Sequence, residues 1–278
     1  MAQQLNFDPK QINGGVPGPT FDVKIHITMS QKPPPSLSPP IRVALSLVLP
    51  IIAALLVSLV ATGSARIGGD EPGDITLQLA GAGLASWFMG LFWYGLPGSG
   101  LRFGRPLYAS IGFASLAWII FLVVRLTVEV ETYGGSESGR TFFYILLFEA
   151  FCVQLWTFGV FFRSVADWRG PLTAAVSSGI LFGAIAFLFF QESFSNLPSS
   201  LLYFATWGIL YGIIRLRTGS LLGTVLVQAM QSFTGWQVMI PADPPNTGQL
   251  NLFYTATSAL YAILIWRLWP KKEDDYRV

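Results

Sequence analysis

The chain reads as an all-α membrane protein: a bundle of about eight transmembrane helices preceded by an extended N-terminal cytoplasmic arm. Three observations predict this class. Hydrophobic residues make up 52% of the 278 and charged residues only 12%, with a mean hydropathy of +0.54, a composition suited to lipid as solvent. Apolar runs recur at close to the ~20 residues a helix needs to cross a hydrocarbon core ~30 Å thick. The basic residues, finally, fall on alternate sides of those runs.

The arm comes first. Residues 1–40 are polar and Pro-rich, without the short basic stretch and apolar core of a secretory signal. Phe21, Val23, Ile25, Ile27 and Met29 alternate with Asp22, Lys24, His26 and Thr28, the period of a strand with one apolar face. No second strand of comparable quality is visible. A lone strand at 21–29 cannot satisfy its own backbone, so these five apolar residues are the candidates for binding a cytoplasmic-side partner, by joining its sheet or lying in its groove. The other reading is a disordered arm with chance alternation. Pro-Pro-Pro-Ser-Leu-Ser-Pro-Pro at 33–40 is an extended spacer, because proline fixes φ and cannot enter a helix interior.

A transmembrane domain over 41–269 and a charged tail over 270–278 follow. The expected spans are 41–62, 77–97, 107–124, 141–162, 172–190, 199–214, 219–236 and 251–269. Charge tests both the count and the orientation. With the N-terminus inside, the inside set is Lys10, Lys24, Lys32, Arg42, Arg102, Arg105, Arg163, Arg169, Arg215, Arg217, Arg267, Lys271, Lys272 and Arg277, which is 14 of the 17 basic residues. Only Arg66, Arg125 and Arg140 are left outside, where Asp70, Glu71, Asp74, Glu129, Glu131, Glu137, Glu192 and Asp243 collect. Both termini are therefore expected to be cytoplasmic, in a bacterial cytoplasmic membrane or an internal membrane such as a thylakoid.

Several classes are set aside. A net charge of +2 with scattered basic residues argues against a nucleic-acid partner. The single cysteine, Cys152, precludes an intrachain disulfide and a thiolate metal cluster, and its apolar neighbours suggest a buried, inert thiol. One His, one Cys and one intramembrane Glu do not make a zinc ligand set. No metal and no cofactor are expected.

Within the spans, Gly179 and Gly183, Gly208 and Gly212, and Gly219 and Gly223 are each one helical turn apart, the spacing that lets helix backbones approach closely. Trp87, Phe88, Phe92, Trp93 and Tyr94, with Trp266 and Trp269, read as interfacial anchors. Glu149 is the ionisable residue expected well inside the membrane, where such groups are costly and are candidates for function. A structural hydrogen bond to a neighbouring helix is weighed against proton transfer or catalysis. Gln154, Gln228 and Gln231 are its nearest polar company in the sequence.

Between 153 and 232 the frames Gly159, Arg169-Gly170-Pro171-Leu172, Ser177-Ser178-Gly179-Ile180-Leu181-Phe182-Gly183 and Leu216-Arg217-Thr218-Gly219-Ser220-Leu221 occur in order. In these frames the chain resembles the CPBP family, the intramembrane endopeptidases related to CAAX prenyl proteases and to bacteriocin-processing or Abi-like immunity proteins. The resemblance implies eight spans. It also implies a site of paired glutamates followed by an arginine, a first histidine, and a second histidine with an asparagine four residues later. Placed without gaps, those positions hold Val153, Gln154, Phe158, Ala186, Gln228 and Ser232. The family chemistry needs a carboxylate base for water and histidines to hold it or steady the oxyanion. Valine, alanine and phenylalanine can do neither, and the chain's only histidine, His26, lies in the arm. Glu149 is one turn before Val153, about 5.4 Å from where a base would stand.

The expected function is thus a catalytically inactive member of this family, a structural or binding subunit of a larger membrane protein complex, with lipids and other membrane subunits as partners. The alternatives are an intramembrane endopeptidase with a rearranged site around Glu149, and a small transporter or lipid-binding protein. Absence of a convincing internal repeat weakens the transporter reading.

Overall fold

The computed structural model describes residues 37–65, 72–128, 131–133, 138–190, 198–241 and 246–277. Residues 1–36 of the arm, with its expected strand at 21–29, lie outside the described residues; Pro39 and Pro40, expected to extend the spacer, instead open the first helix, where proline is tolerated. Eight helices occupy the eight expected places. They are α1 Pro39–Thr62, α2 Pro72–Trp93, α3 Arg105–Val128, α4 over 138–169, α5 Pro171–Phe190, α6 Pro198–Thr218, α7 over 222–238 and α8 Thr247–Leu268. Six of them, α1 to α6, are long and apolar enough to cross a membrane. The other two, α7 and α8, complete the bundle. A three-residue antiparallel ladder pairs Glu131–Tyr133 (β1) with Met239–Pro241 (β2), Thr132 opposite Ile240. Neither strand shows in the sequence, because three residues are too few to display a period.

Local chemistry sets the helix ends. Pro39 and Pro40 stand in the first turn of α1, where a missing N–H costs no intrahelical bond. The helix closes on Gly63, in the left-handed region at φ 72°, whose N–H returns to the Leu59 carbonyl. At the start of α8, Asn246 and Gln249 cap each other: the Gln249 N–H donates to Asn246 Oδ1 at 2.9 Å and the Asn246 N–H to Gln249 Oε1 at 3.0 Å. The expected seventh span begins three residues too early. Gly219, at φ +76°, ends α6 and cannot open α7.

Small residues decide the closest crossing. Ala175, Gly179 and Gly183 line one face of α5 against Ala205, Gly208 and Gly212 of α6. A Cβ on Gly179 would stand 2.5 Å from the Ile209 Cα, and one on Gly208 or Gly212 would run into the carbonyl oxygens of Gly179 and Ala175. Gly223 fits likewise against the Ser110–Ile111 backbone of α3. Five of the six glycine positions singled out by spacing thus work as expected, with backbones meeting where lipid gives helices no hydrophobic reason to associate. Beside this crossing, Phe182, Tyr203, Trp207, Tyr211, Phe253 and Tyr254 form an aromatic core with ring centroids 5.4–6.0 Å apart.

One end of the bundle is tied together by basic residues. Arg42 of α1 donates to Asp167 Oδ2 of α4 at 2.8 Å and to the Tyr94 hydroxyl after α2 at 3.1 Å. Arg102 donates to the Arg277 carbonyl at 3.1 Å, the Arg277 N–H donates to the Leu216 carbonyl at 2.8 Å, and Arg217 donates to the Leu268 carbonyl at 3.2 Å. Among the described residues of the charge-rule set, Arg42, Arg102, Arg217 and Arg277 thus tie together the ends of neighbouring helices. In the tail, the Lys271 and Lys272 amides both donate to Asp275, holding its pKa below the usual carboxylate range.

Candidate functional site

Helix α4 departs from α geometry through its middle, as α7 does only over its last turn, Thr234–Val238. Over Ile145–Cys152 and again over Leu155–Phe161 its backbone bonds step to i+5, making two π-helical stretches around Val153 and Gln154. A π turn widens the helix and leaves carbonyls open to other donors, and such turns often stand at functional sites. Side chains of two other helices use them here. Gln228 Nε2 of α7 donates to the Glu149 carbonyl at 3.4 Å, and Arg215 Nε of α6 donates to the Phe158 carbonyl at 3.3 Å.

The structure brings four of the expected site residues into one polar cluster between α4 and α7. Gln154 Nε2 donates to Gln228 Oε1 at 2.7 Å, both side chains being buried. The Thr224 hydroxyl lies 2.5 Å from Gln154 Oε1 and 2.7 Å from the Leu221 carbonyl. One turn along α7, the Ser232 hydroxyl donates to Glu149 Oε1 at 2.6 Å. Glu149, Gln154, Gln228 and Ser232 thus share the α4–α7 seam: Gln228 and Ser232 are one turn apart on α7, and Glu149 and Gln154 are five apart along the π-helical part of α4.

The remaining expected positions are apolar and packed apart from this cluster's hydrogen bonds. Val153 is buried in the core. Phe158 is fully buried with its ring 5.5 Å from that of Phe182, and Ala186 is buried one turn beyond Phe182 on α5. Gln231 does not join the seam: its Nε2 donates to the Tyr203 hydroxyl at 2.9 Å, on the α6 side. Cys152 donates to the Leu147 carbonyl at 3.1 Å and packs on Gly83. Among the described residues, no three His, Cys, Asp or Glu side chains converge as metal ligands would.

The chemical capacity of the seam follows from its donors and acceptors. Two carboxamides and two hydroxyls exchange hydrogen bonds but carry no group that takes up a proton near neutral pH. Glu149 supplies the carboxylate, held by Ser232.

Sequence reading missed two things. The π stretches leave no signature in composition. The charge rule puts Arg215 in a loop, yet α6 runs on to Thr218 and the side chain is wholly buried; Arg125, which the same rule puts outside, is buried in the last turn of α3. The signal for Arg215 was available in the apolar run Leu210 to Leu216, which continues helically through it.

No curated protein matches this chain. Residues 136–234, which carry α4 to α6 and most of α7, match the family model described as Rce1-like, type II CAAX prenyl endopeptidase; over this segment the chain is similar to that family.

Proposed function

We propose that the chain is a non-catalytic relative of the intramembrane CAAX proteases, kept as a structural or binding subunit of a larger membrane protein complex. One observation carries the reading. Where the resemblance calls for a glutamate and a histidine, Gln154 and Gln228 bond to each other at 2.7 Å, so the groups meant for water and substrate are spent on holding α4 to α7. Phe158 and Ala186, at the arginine and first histidine positions, offer no polar atom. Without the family's paired glutamates and its histidines the seam stabilises a bundle and not a transition state.

The basic end faces the cytoplasm in this reading, and residues 21–29 of the arm engage a partner on that side. Gentle extraction followed by native sizing tests the assembly. The expected result is a particle well above 30.4 kDa plus its detergent, with defined co-purifying protein that is lost when 21–29 is deleted. A lone monomer under several mild detergents refutes it.

A second reading rests on the Ser232–Glu149 pair. A hydroxyl 2.6 Å from a carboxylate has nucleophile-to-base geometry, and an endopeptidase rearranged around Glu149 would use it. Cleavage of a prenylated peptide by the purified chain, abolished by Glu149→Gln and by Ser232→Ala, would establish that activity in place of the first reading.

A further inference from the structure

Arg215 lies under the connection between α2 and α3, at the basic end. Its side chain is wholly buried. Nε bonds the Phe158 carbonyl at 3.3 Å and the guanidinium stands 5.2 Å above the Phe162 ring, but Nη1 and Nη2 meet no acceptor. Gly100, at φ +87°, forms the roof: a Cβ there would be 2.5 Å from Arg215 Nε. The roof is fastened by the Ser220 hydroxyl donating to the Arg102 carbonyl at 2.8 Å and the Leu221 N–H to the Gly100 carbonyl at 3.0 Å.

The charges that reach Arg215 are those of Arg102 and Arg163, both positive. Burial, with the charge of Arg163, also holds the Arg102 pKa below its ordinary value. Asp167, the acid on the same turn of α4, is taken on one oxygen by Arg42 at 2.8 Å and on the other by Arg163 at 3.3 Å. A guanidinium has five donors in a planar fork, and here four N–H groups point into protein with like charge around them. Leaving such a charge unpaired is costly enough that burial without a counter-ion is hard to sustain.

We propose that Arg215, Arg102 and Arg163 form a site for a phosphate oxyanion, entering beside the 95–104 connection and seating two oxygens on the Arg215 fork. A planar fork suits bidentate phosphate recognition, and basic pockets at helix-bundle ends bind anionic lipid head groups. The shared chemistry is a phosphate, from either an anionic phospholipid or the solution.

The full chain in lipid nanodiscs separates the sources. Melting is measured in phosphatidylglycerol discs, in phosphatidylcholine discs, and in phosphatidylcholine discs with inorganic phosphate, while native mass spectrometry counts retained lipid. A higher melting point in phosphatidylglycerol alone assigns the head group; a rise with inorganic phosphate assigns a soluble anion. Arg102→Gln with Arg163→Gln, which leaves the buried residue in place, should weaken retention about tenfold per lost charge-assisted contact, and the paired Lys variants should restore it. Arg215→Met should abolish the dependence. Equal melting in all three conditions, or equal retention by wild type and the double Gln variant, overturns the proposal.

Discussion

Replacing Gln154 and Gln228 by leucine, singly and together, tests whether the seam between α4 and α7 is a structural clasp. Gln228→Leu strands Gln154 Nε2, which is buried and has Gln228 Oε1 as its partner at 2.7 Å. Gln154→Leu strands Gln228 Oε1, while Thr224 keeps the Leu221 carbonyl at 2.7 Å. A buried amide left unpaired costs about 1–3 kcal/mol, although hydrogen bonds between membrane helices average nearer ~0.6 kcal/mol. Each single change should therefore destabilise by about 1–2 kcal/mol. The double change removes donor and acceptor together and fills the seam with apolar volume, so it should cost no more than either single one. The coupling energy is then at least as large as one single effect, about 1–2 kcal/mol, read from a double-mutant cycle of reversible unfolding in mixed detergent–lipid micelles. Single effects that add within about 0.5 kcal/mol would mean the amides do not act on each other and would remove the clasp argument.

Glu149→Gln should leave unfolding unchanged, since a carboxamide oxygen still accepts from Ser232 at the position now 2.6 Å away, whereas Glu149→Leu should lose about 1 kcal/mol by orphaning that hydroxyl; equal losses for both would show that charge and not the bond matters. At the α5–α6 crossing, Gly208→Leu should cost about 3 kcal/mol or more through overpacking against the Gly179 carbonyl. Gly112→Ala in α3, where a Cβ meets nothing within 4 Å, should instead stabilise by up to about 1 kcal/mol, and melting temperatures of opposite sign check the pair. For the tail, the depressed pKa of Asp275 means its contribution is present above the ordinary carboxylate value and lost as pH falls through the lower native one. Protection from hydrogen exchange over 270–277, relative to the intrinsic rate at each pH, should thus be steady from pH 5 to 8 and fall below about pH 4, with Asp275→Asn lowering it at neutral pH; protection that does not change with pH contradicts a role for the Asp275 carboxylate.

Sequence alone determined the membrane class, the places of eight helices and which basic residues share an end, because hydrophobicity, length and charge are summed along the chain and need no partner. It also marked Gly179, Gly183, Gly208 and Gly212 as close-approach points, since a one-turn spacing of small residues is itself the contact surface. Tertiary structure decided the rest. That Gln154 meets Gln228 and Ser232 meets Glu149 depends on how α7 turns against α4, and that turn depends on π-helical stretches with no compositional trace. Arg215 looked like one more loop charge until α6 was seen to carry it under Gly100 with two nitrogens unpaired. Burial and pairing are properties of neighbours, and the neighbours of α6 come from residues 57 and 115 positions away in the chain.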